Sequence, residues 1–229
     1  MSSKKIHRFI EDYDIENGNI VLRGEAIIHQ FRNVLKFKKG EEVIIAKDGK
    51  ELFGEILEID KDKIILLKKE ERENKNEPEK KVHLYLAILK KENFELAIEK
   101  ATELGIQSIT PIITERTIKT GLNFERLRKI AKEASELSGR SLVPEILDIL
   151  RFEEALESGV GEKILFDIGG EKLKDKNNKE ISIFVGPEGG WTENEINIVK
   201  EKGVRIASIS PFTLRGETAA IIASYVVIN

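Results

Sequence analysis

The chain of 229 residues contains no cysteine. That excludes disulfides, thiol nucleophiles and Cys-ligated zinc or iron–sulfur sites, and it fits a reducing compartment. No apolar run approaches the roughly 20 residues needed to span a bilayer, so no membrane association is expected. The opening stretch, MSSKKIHRFIEDYD, is charged but has no apolar h-region, so no export signal is expected either. Glutamine occurs only at Gln30 and Gln107, against abundant Lys, Glu and Ile; heat adaptation and AT-rich coding explain this bias equally well. His7, His29 and His83 are scattered, without the spacing of metal ligands or of an HExxH helix, so no metal is expected. No GxSxG nucleophile motif occurs, and neither GxxxxGK[ST] nor GxGxxG stands in a strand–turn–helix context. A formal net charge of −3 argues against indiscriminate nucleic-acid binding but leaves room for a local basic surface.

What is present falls into two halves. With 40% hydrophobic and 34% charged residues, the chain reads as globular with a heavily charged surface. Glu70 to Lys81, EERENKNEPEKK, has no apolar residue and reads as a linker or long solvated loop. Before it the pattern is β-rich. EEVIIAK and KELFGEILEI flank Asp48-Gly49, a type I′ hairpin signal, and HRFI and KIILLKK are further strands. GEAIIHQFRNVLK reads as one helix with Ile27, Ile28, Phe31 and Leu35 on its buried side. A small β-barrel over residues 1–70 is expected, followed by a linker at 71–81. From 82 to 229 strands and helices alternate: VHLYLAIL, NFELAIEKATELG, IQSITPII, NFERLRKIAKEASELSG, KILFD, ISIFVG, TENEINIVKEKG, VRIASI and ETAAIIASYVVIN. This implies a mostly parallel, two-sided α/β sheet whose ligand lies beyond the carboxyl ends of its strands. The last helix is apolar around nearly its whole circumference and must be covered on several sides, as a core helix or as one that also lines a subunit interface.

The segment ISIFVGPEGGWTENEI ends a strand in a glycine-rich turn and opens a helix. Thr192 and Glu195 form a capping box that occupies the first amide donors, and Glu193 adds a second carboxylate to the first turn. A phosphate would meet negative charge and used amides there, so the loop suits a neutral or cationic ligand lying against exposed backbone. The alternative is a tight turn that holds nothing. A second segment, SPFTLRGETAA, repeats the strand–loop–helix arrangement, and the two strand ends are expected to be adjacent.

FVGPEGGWTENEI and LRGETA, with KATELGIQSITPIITERT, EASELSGRSLVPEI, HRFI and HQFRNVLKFKKGE, together resemble the RsmE-type ribosomal RNA uridine N3-methyltransferases of the SPOUT superfamily. The resemblance covers essentially the whole chain. It implies an N-terminal PUA-like barrel that helps bind RNA and a C-terminal parallel-sheet α/β domain with a trefoil knot that binds S-adenosylmethionine. It also implies an obligate homodimer acting on small-subunit ribosomal RNA in the cytoplasm. Carried onto matching positions, Val185, Gly186, Pro187, Glu188, Gly189 and Gly190 would line the cofactor, with Ile209, Ser210, Thr213 and Leu214 closing the other side. Three positions depart from the family pattern: Ser210 and Phe212 stand where glycine and arginine are usual, and Leu137 replaces a glutamine.

Methylation of a uracil ring nitrogen needs an acceptor for the N–H proton or a cation facing the uracil anion. Arg215 is the expected cation, because a guanidinium stays ionised, and Glu217 and Glu188 are the expected acceptors. A helix-start ion pair between Arg215 and Glu217, without a catalytic role, is the alternative. Arg8, Arg32, Lys36, Arg116 and Arg140 are assigned to RNA phosphates, with solvated charge or surface ion pairs as the alternative, and Lys38 and Lys39 add to the basic character of the N-terminal part. His29 could touch RNA, and Trp191 is read as a packing lid. Without cysteine, ring-carbon methylation through a thiol adduct is excluded. Ribose 2′-O-methylation and a non-catalytic RNA-binding assembly factor are the competing functions.

Overall fold

The computed structural model describes residues 6–118, 121–174 and 178–229, and the chain divides into two compact units. Residues up to Glu77, together with Ser135–Leu142, form the first. Its elements are β1 (His7–Ile10), β2 (Asp14–Glu16), β3 (Asn19–Arg23), α1 (Glu25–His29), β4 (Glu42–Lys47), β5 (Lys50–Ile59) and β6 (Lys63–Glu73). They build a six-stranded sheet in the order β1-β4-β5-β6-β3-β2, in which only β1 and β4 run parallel.

Two-residue turns set the register. Asp48 and Gly49, at φ 50° and 82°, place Lys47 opposite Lys50, as a type I′ turn requires. Asn17-Gly18 does the same between β2 and β3 (φ 50° and 80°), a hairpin the sequence reading did not single out. The core gathers Phe9, Phe31 and Phe37, with ring centroids 4.7 Å apart for the first pair and 4.9 Å for Phe31–Phe37, among Ile20, Leu22, Val43, Ile45, Ile56 and Leu66.

Two segments of this unit differ from expectation. GEAIIHQFRNVLK is α-helical only to His29; Gln30–Val34 continue as a π-helix, with Leu35 N donating to Gln30 O at 2.9 Å. The wider turn still buries Ile27, Ile28 and Phe31 and leaves Leu35 partly covered. The charged run that reads as a linker enters the sheet: Glu70–Glu73 pair with Lys50–Phe53, and Arg72 lies 3.8 Å over the Phe53 ring. Its side chains are solvated, so no apolar alternation marks it as a strand.

The second unit contains β7 (Lys81–Ala87), α2 (Lys91–Leu104), β8 (Ser108–Ile113), α3 (Phe124–Ser138), β9 (Glu145–Ile146), β10 (Leu150–Arg151), α4 (Phe152–Ser158), β11 (Glu162–Lys172), β12 (Glu180–Val185), α5 (Glu193–Glu201), β13 (Arg205–Ser208) and α6 (Gly216–Ile228). The last turn of α3 groups with the first unit. All strand pairings here are parallel, in the order β10-β8-β7-β12-β11-β13 with β9 also on β8.

Strand periodicity explains the two layers. On β7, Val82, Leu84 and Leu86 join the cluster that includes Phe94 and Ile98 of α2 and Ala220 and Val227 of α6. Tyr85 and Ala87 point the other way, to Phe152 and Leu156 of α4 and Val199 of α5. Each Ile, Leu or Phe side chain fully withdrawn from water in these layers contributes about 1.5–3 kcal/mol. The sequence reading missed β9, β10 and α4, which are too short to show a period. The last helix is covered on one side only. Gly216, Glu217, Ala220, Ala223, Ser224 and Val227 are buried, whereas Ile221, Ile222 and Val226 are half-buried and Tyr225 is exposed.

Candidate functional site

The sequence leads one to expect β12 and β13 side by side; in the sheet they are not neighbours, because β11 pairs with both and lies between them. Three strand ends therefore converge, and around them is a cavity of about 220 Å³. Phe166, Asp167 and Ile168 contribute from β11, Val185 to Trp191 from β12 and its loop, and Ser208, Ile209, Ser210, Phe212, Thr213, Leu214, Gly216 and Ala219 from β13 onward. All ten residues expected to hold a cofactor lie on this wall: Val185, Gly186, Pro187, Glu188, Gly189, Gly190, Ile209, Ser210, Thr213 and Leu214.

The contribution of β11 was not anticipated. Its register against β13 jumps, with Phe166 and Glu171 both opposite Ala207, so Asp167–Gly170 loop out of the ladder. Asp167 Oδ2 accepts from Gly169 N at 2.8 Å and stiffens that excursion. Only a pair of adjacent glycines, Gly169-Gly170, hinted at it in the sequence.

The glycine loop is braced on several sides. Thr192 Oγ1 accepts from Glu195 N at 3.2 Å, and Glu195 Oε2 accepts from Thr192 N at 2.8 Å, completing the capping box. Trp191 is buried, donates Nε1 to Phe166 O at 3.0 Å and packs on Phe152, with centroids 4.9 Å apart. Glu188 is exposed, and its Oε1 accepts from Lys90 N at 3.1 Å. Arg116 donates to Gly189 O at 2.5 Å and to Trp191 O at 3.2 Å.

Arg215 and Glu217 do not form the helix-start ion pair considered above. Arg215 is exposed and has no carboxylate partner among the described residues. Glu217 is 7% exposed, and its Oε2 is buried with no hydrogen-bond partner among them. An unpaired buried carboxylate oxygen is costly unless another molecule completes it.

The remaining cations are differently placed. Arg32 and Lys36 are exposed, Lys36 at a left-handed φ of 54°. Arg8 donates to Glu51 at 2.6 Å and is largely covered. Arg140, expected at a phosphate, is 4% exposed, and its guanidinium donates to Glu77 Oε2 at 2.9 Å. Its hydrophilic head is spent inside the first unit, where Glu77 also accepts from Ser141 N and Leu142 N.

Among the described residues, the only charged ones on the cavity wall are Asp167 and Glu188, both carboxylates. This crevice at the carboxyl ends of parallel strands therefore suits an uncharged or cationic ligand and disfavours an anionic tail. Among the described residues no group of three or more His, Asp or Glu could hold a metal ion, and no helix is long and apolar enough to cross a membrane.

Residues 75–228 match the family model of the RNA methyltransferase domain, and the chain belongs to that family. Among its relatives is the ribosomal RNA small subunit methyltransferase E of Aquifex aeolicus, 32% identical, covering 93% of this chain and 95% of the relative. The protein of the same name from Rickettsia conorii is 33% identical, over 91% of this chain and 88% of its own. The crystal structure of a ribosomal RNA small subunit methyltransferase E from Neisseria gonorrhoeae bound to S-adenosyl methionine superposes with a TM-score of 0.88 at 28% identity, covering 97% of this chain and 96% of that one.

Proposed function

We propose that the protein methylates N3 of a uridine in small-subunit ribosomal RNA, with S-adenosylmethionine as donor, in the cytoplasm. The observation that carries this reading is the cavity at the ends of β11, β12 and β13, lined among the described residues by backbone, apolar side chains, the hydroxyls of Ser208, Ser210 and Thr213, and two carboxylates but no cation. S-adenosylmethionine supplies an electrophilic methyl group on a sulfonium cation, and it carries no phosphate. The glycine and serine loops would hold it, largely through main-chain groups, and Asp167 and Glu188 complement its positive charge.

Arg215, exposed beside the cavity at the start of α6, orients the base and stabilises the charge that develops on the uracil ring. Glu217 is favoured over Glu188 as acceptor of the N3 proton. Glu217 Oε2 is withdrawn from water with no partner, whereas Glu188 is exposed and already receives Lys90 N. The return of the chain from β13 at the sheet edge to α6, which packs on α2 and β7, supports the trefoil knot of the SPOUT domain, assigned to 82–229. Residues 1–70, joined through 71–81, serve as the PUA-like RNA-binding domain, with Arg32 and Lys36 as phosphate contacts, whereas the Arg8 guanidinium is held by Glu51. The exposed Tyr225, with Ile221 and Ile222 only half-buried beside it on α6, supports a homodimer.

The test is incubation of small-subunit RNA with the protein and labelled donor, followed by nucleoside analysis. Label in N3-methyluridine supports the assignment, label on ribose 2′-O-methyl groups replaces it, and no label overturns it. Arg215→Ala should abolish methylation while leaving donor affinity within a few-fold; wild-type turnover would remove Arg215 from the reaction.

A further inference from the structure

The turn that leaves β8 is closed on itself: Thr117 N donates to Thr114 O at 3.1 Å, and Thr117 Oγ1 accepts from Thr114 N at 2.9 Å. In the sheet it stands two strands away from β12, with β7 between. Yet it is tied to the loop after β12 and to the first turn of α5. Glu115 N donates to Glu195 Oε1 at 2.9 Å, and Asn194 Nδ2 donates to Glu115 Oε1 at 2.7 Å. Hydrogen bonds from the Asn194 and Thr192 side chains, aided by the charge of Arg116, hold the Glu115 carboxyl below the usual carboxylate range.

Arg116 reaches furthest, its guanidinium bridging the carbonyls of Gly189 and Trp191. Its stem lies against Gly189, where a Cβ would stand 3.2 Å from Arg116 Cδ. A planar, permanently charged donor that grips two carbonyls two residues apart fixes the loop between them. That loop is part of the cavity wall.

We propose that Arg116 is a positioning residue for the donor-binding loop, set by its two carbonyl contacts, rather than primarily an RNA phosphate contact. This rests on the donor-binding reading above and adds to it a specific cause for the shape of the loop.

The experiment compares the wild-type protein with Arg116→Gln and Arg116→Lys. Trp191 is the sole tryptophan, so its emission in the ligand-free protein reports the braced segment directly. Arg116→Gln should alter that emission, weaken S-adenosylmethionine binding about tenfold, the scale of one charge-assisted bond, and raise KM for the donor with kcat nearly unchanged. Arg116→Lys, which keeps a single charged donor, should recover part of the loss. The salt dependence of RNA binding should stay as in wild type. Unchanged emission and donor affinity in Arg116→Gln, with an RNA salt slope smaller by about one ion, would overturn the proposal. Failure of the wild-type protein to bind the donor would instead sink the donor-binding reading, and the emission change would still test the brace.

Discussion

Replacing Gly216 by alanine tests how tightly α6 is seated at the cavity. A Cβ built on Gly216 would stand 2.7 Å from Leu89 Cδ2, 3.1 Å from Leu89 Cδ1 and 3.5 Å from Leu89 Cγ, so all three of its nearest atoms belong to one side chain. Ordinary contact would need several tenths of an ångström more. Leu89 is 3% exposed and has little room to give. Overpacking of this kind costs about 1–3 kcal/mol, and alanine's better helix propensity returns up to about 1 kcal/mol. Gly216→Ala should therefore destabilise the protein by roughly 1 kcal/mol. In a Leu89→Ala background, itself destabilised by about 2–5 kcal/mol, the clash is gone and only the propensity gain remains. There Gly216→Ala should be neutral or stabilising, giving a coupling energy of about 1–3 kcal/mol. Urea unfolding followed at Trp191 measures all four proteins, and constant m-values would validate the cycle. Equal effects of Gly216→Ala in both backgrounds would refute the reasoning.

Other outcomes follow from the same geometry. Thr192→Ala removes the side-chain acceptor of the α5 capping box and should cost about 0.5–2 kcal/mol, read as a lowered Tm; no shift would show that the cap is redundant. Arg126 donates to Glu95 at 2.7 and 2.8 Å and, through those bonds and then its charge, holds the Glu95 carboxyl below the usual range. A depressed folded-state pKa means the contribution is present above the unfolded value and is lost as pH falls through the folded one, so Glu95→Gln should lower stability modestly at neutral pH, converge with wild type in acid, and so flatten the acid limb of the stability curve. If Arg32 and Lys36 meet phosphates, the double alanine variant should weaken RNA binding and reduce the salt slope by about two ions; an unchanged slope would assign them to solvent.

Much of the fold could be read from periodicity. The long helices and buried strands of the second unit declare themselves because each buries one face or two. The Thr192–Glu195 cap was legible from two residues at fixed spacing, and Asp48-Gly49 from the φ its turn demands. The misses share a physical cause: tertiary pairing overrode a weak local pattern. Glu70–Glu73 are strand only because Lys50–Phe53 lie beside them, and both faces stay wet. The π turn after His29 differs from an α-helix by a single register step that side-chain spacing does not encode. The glycine and serine loops were visible in the sequence, but nothing local said that β11 would separate their strands and add Asp167 to the wall. Arg116 and Arg140 were equivalent as charges; burial and partners distinguish them. Even the Arg215–Glu217 pair, adjacent but for one glycine, turned out to point its charges into different surroundings.

The excursion of β11 has a practical side. Because the ladder resumes at the same residue of β13 where it broke off, the length of Asp167–Gly170 is uncoupled from the alignment of the sheet. Residues could be added, removed or exchanged between Asp167 and Gly170 while the frame on either side keeps its phase, whereas Gly170 itself must stay glycine, because a Cβ there would stand 2.5 Å from the Ala207 carbonyl carbon. The excursion is where retuning the protein for an altered small molecule would disturb least.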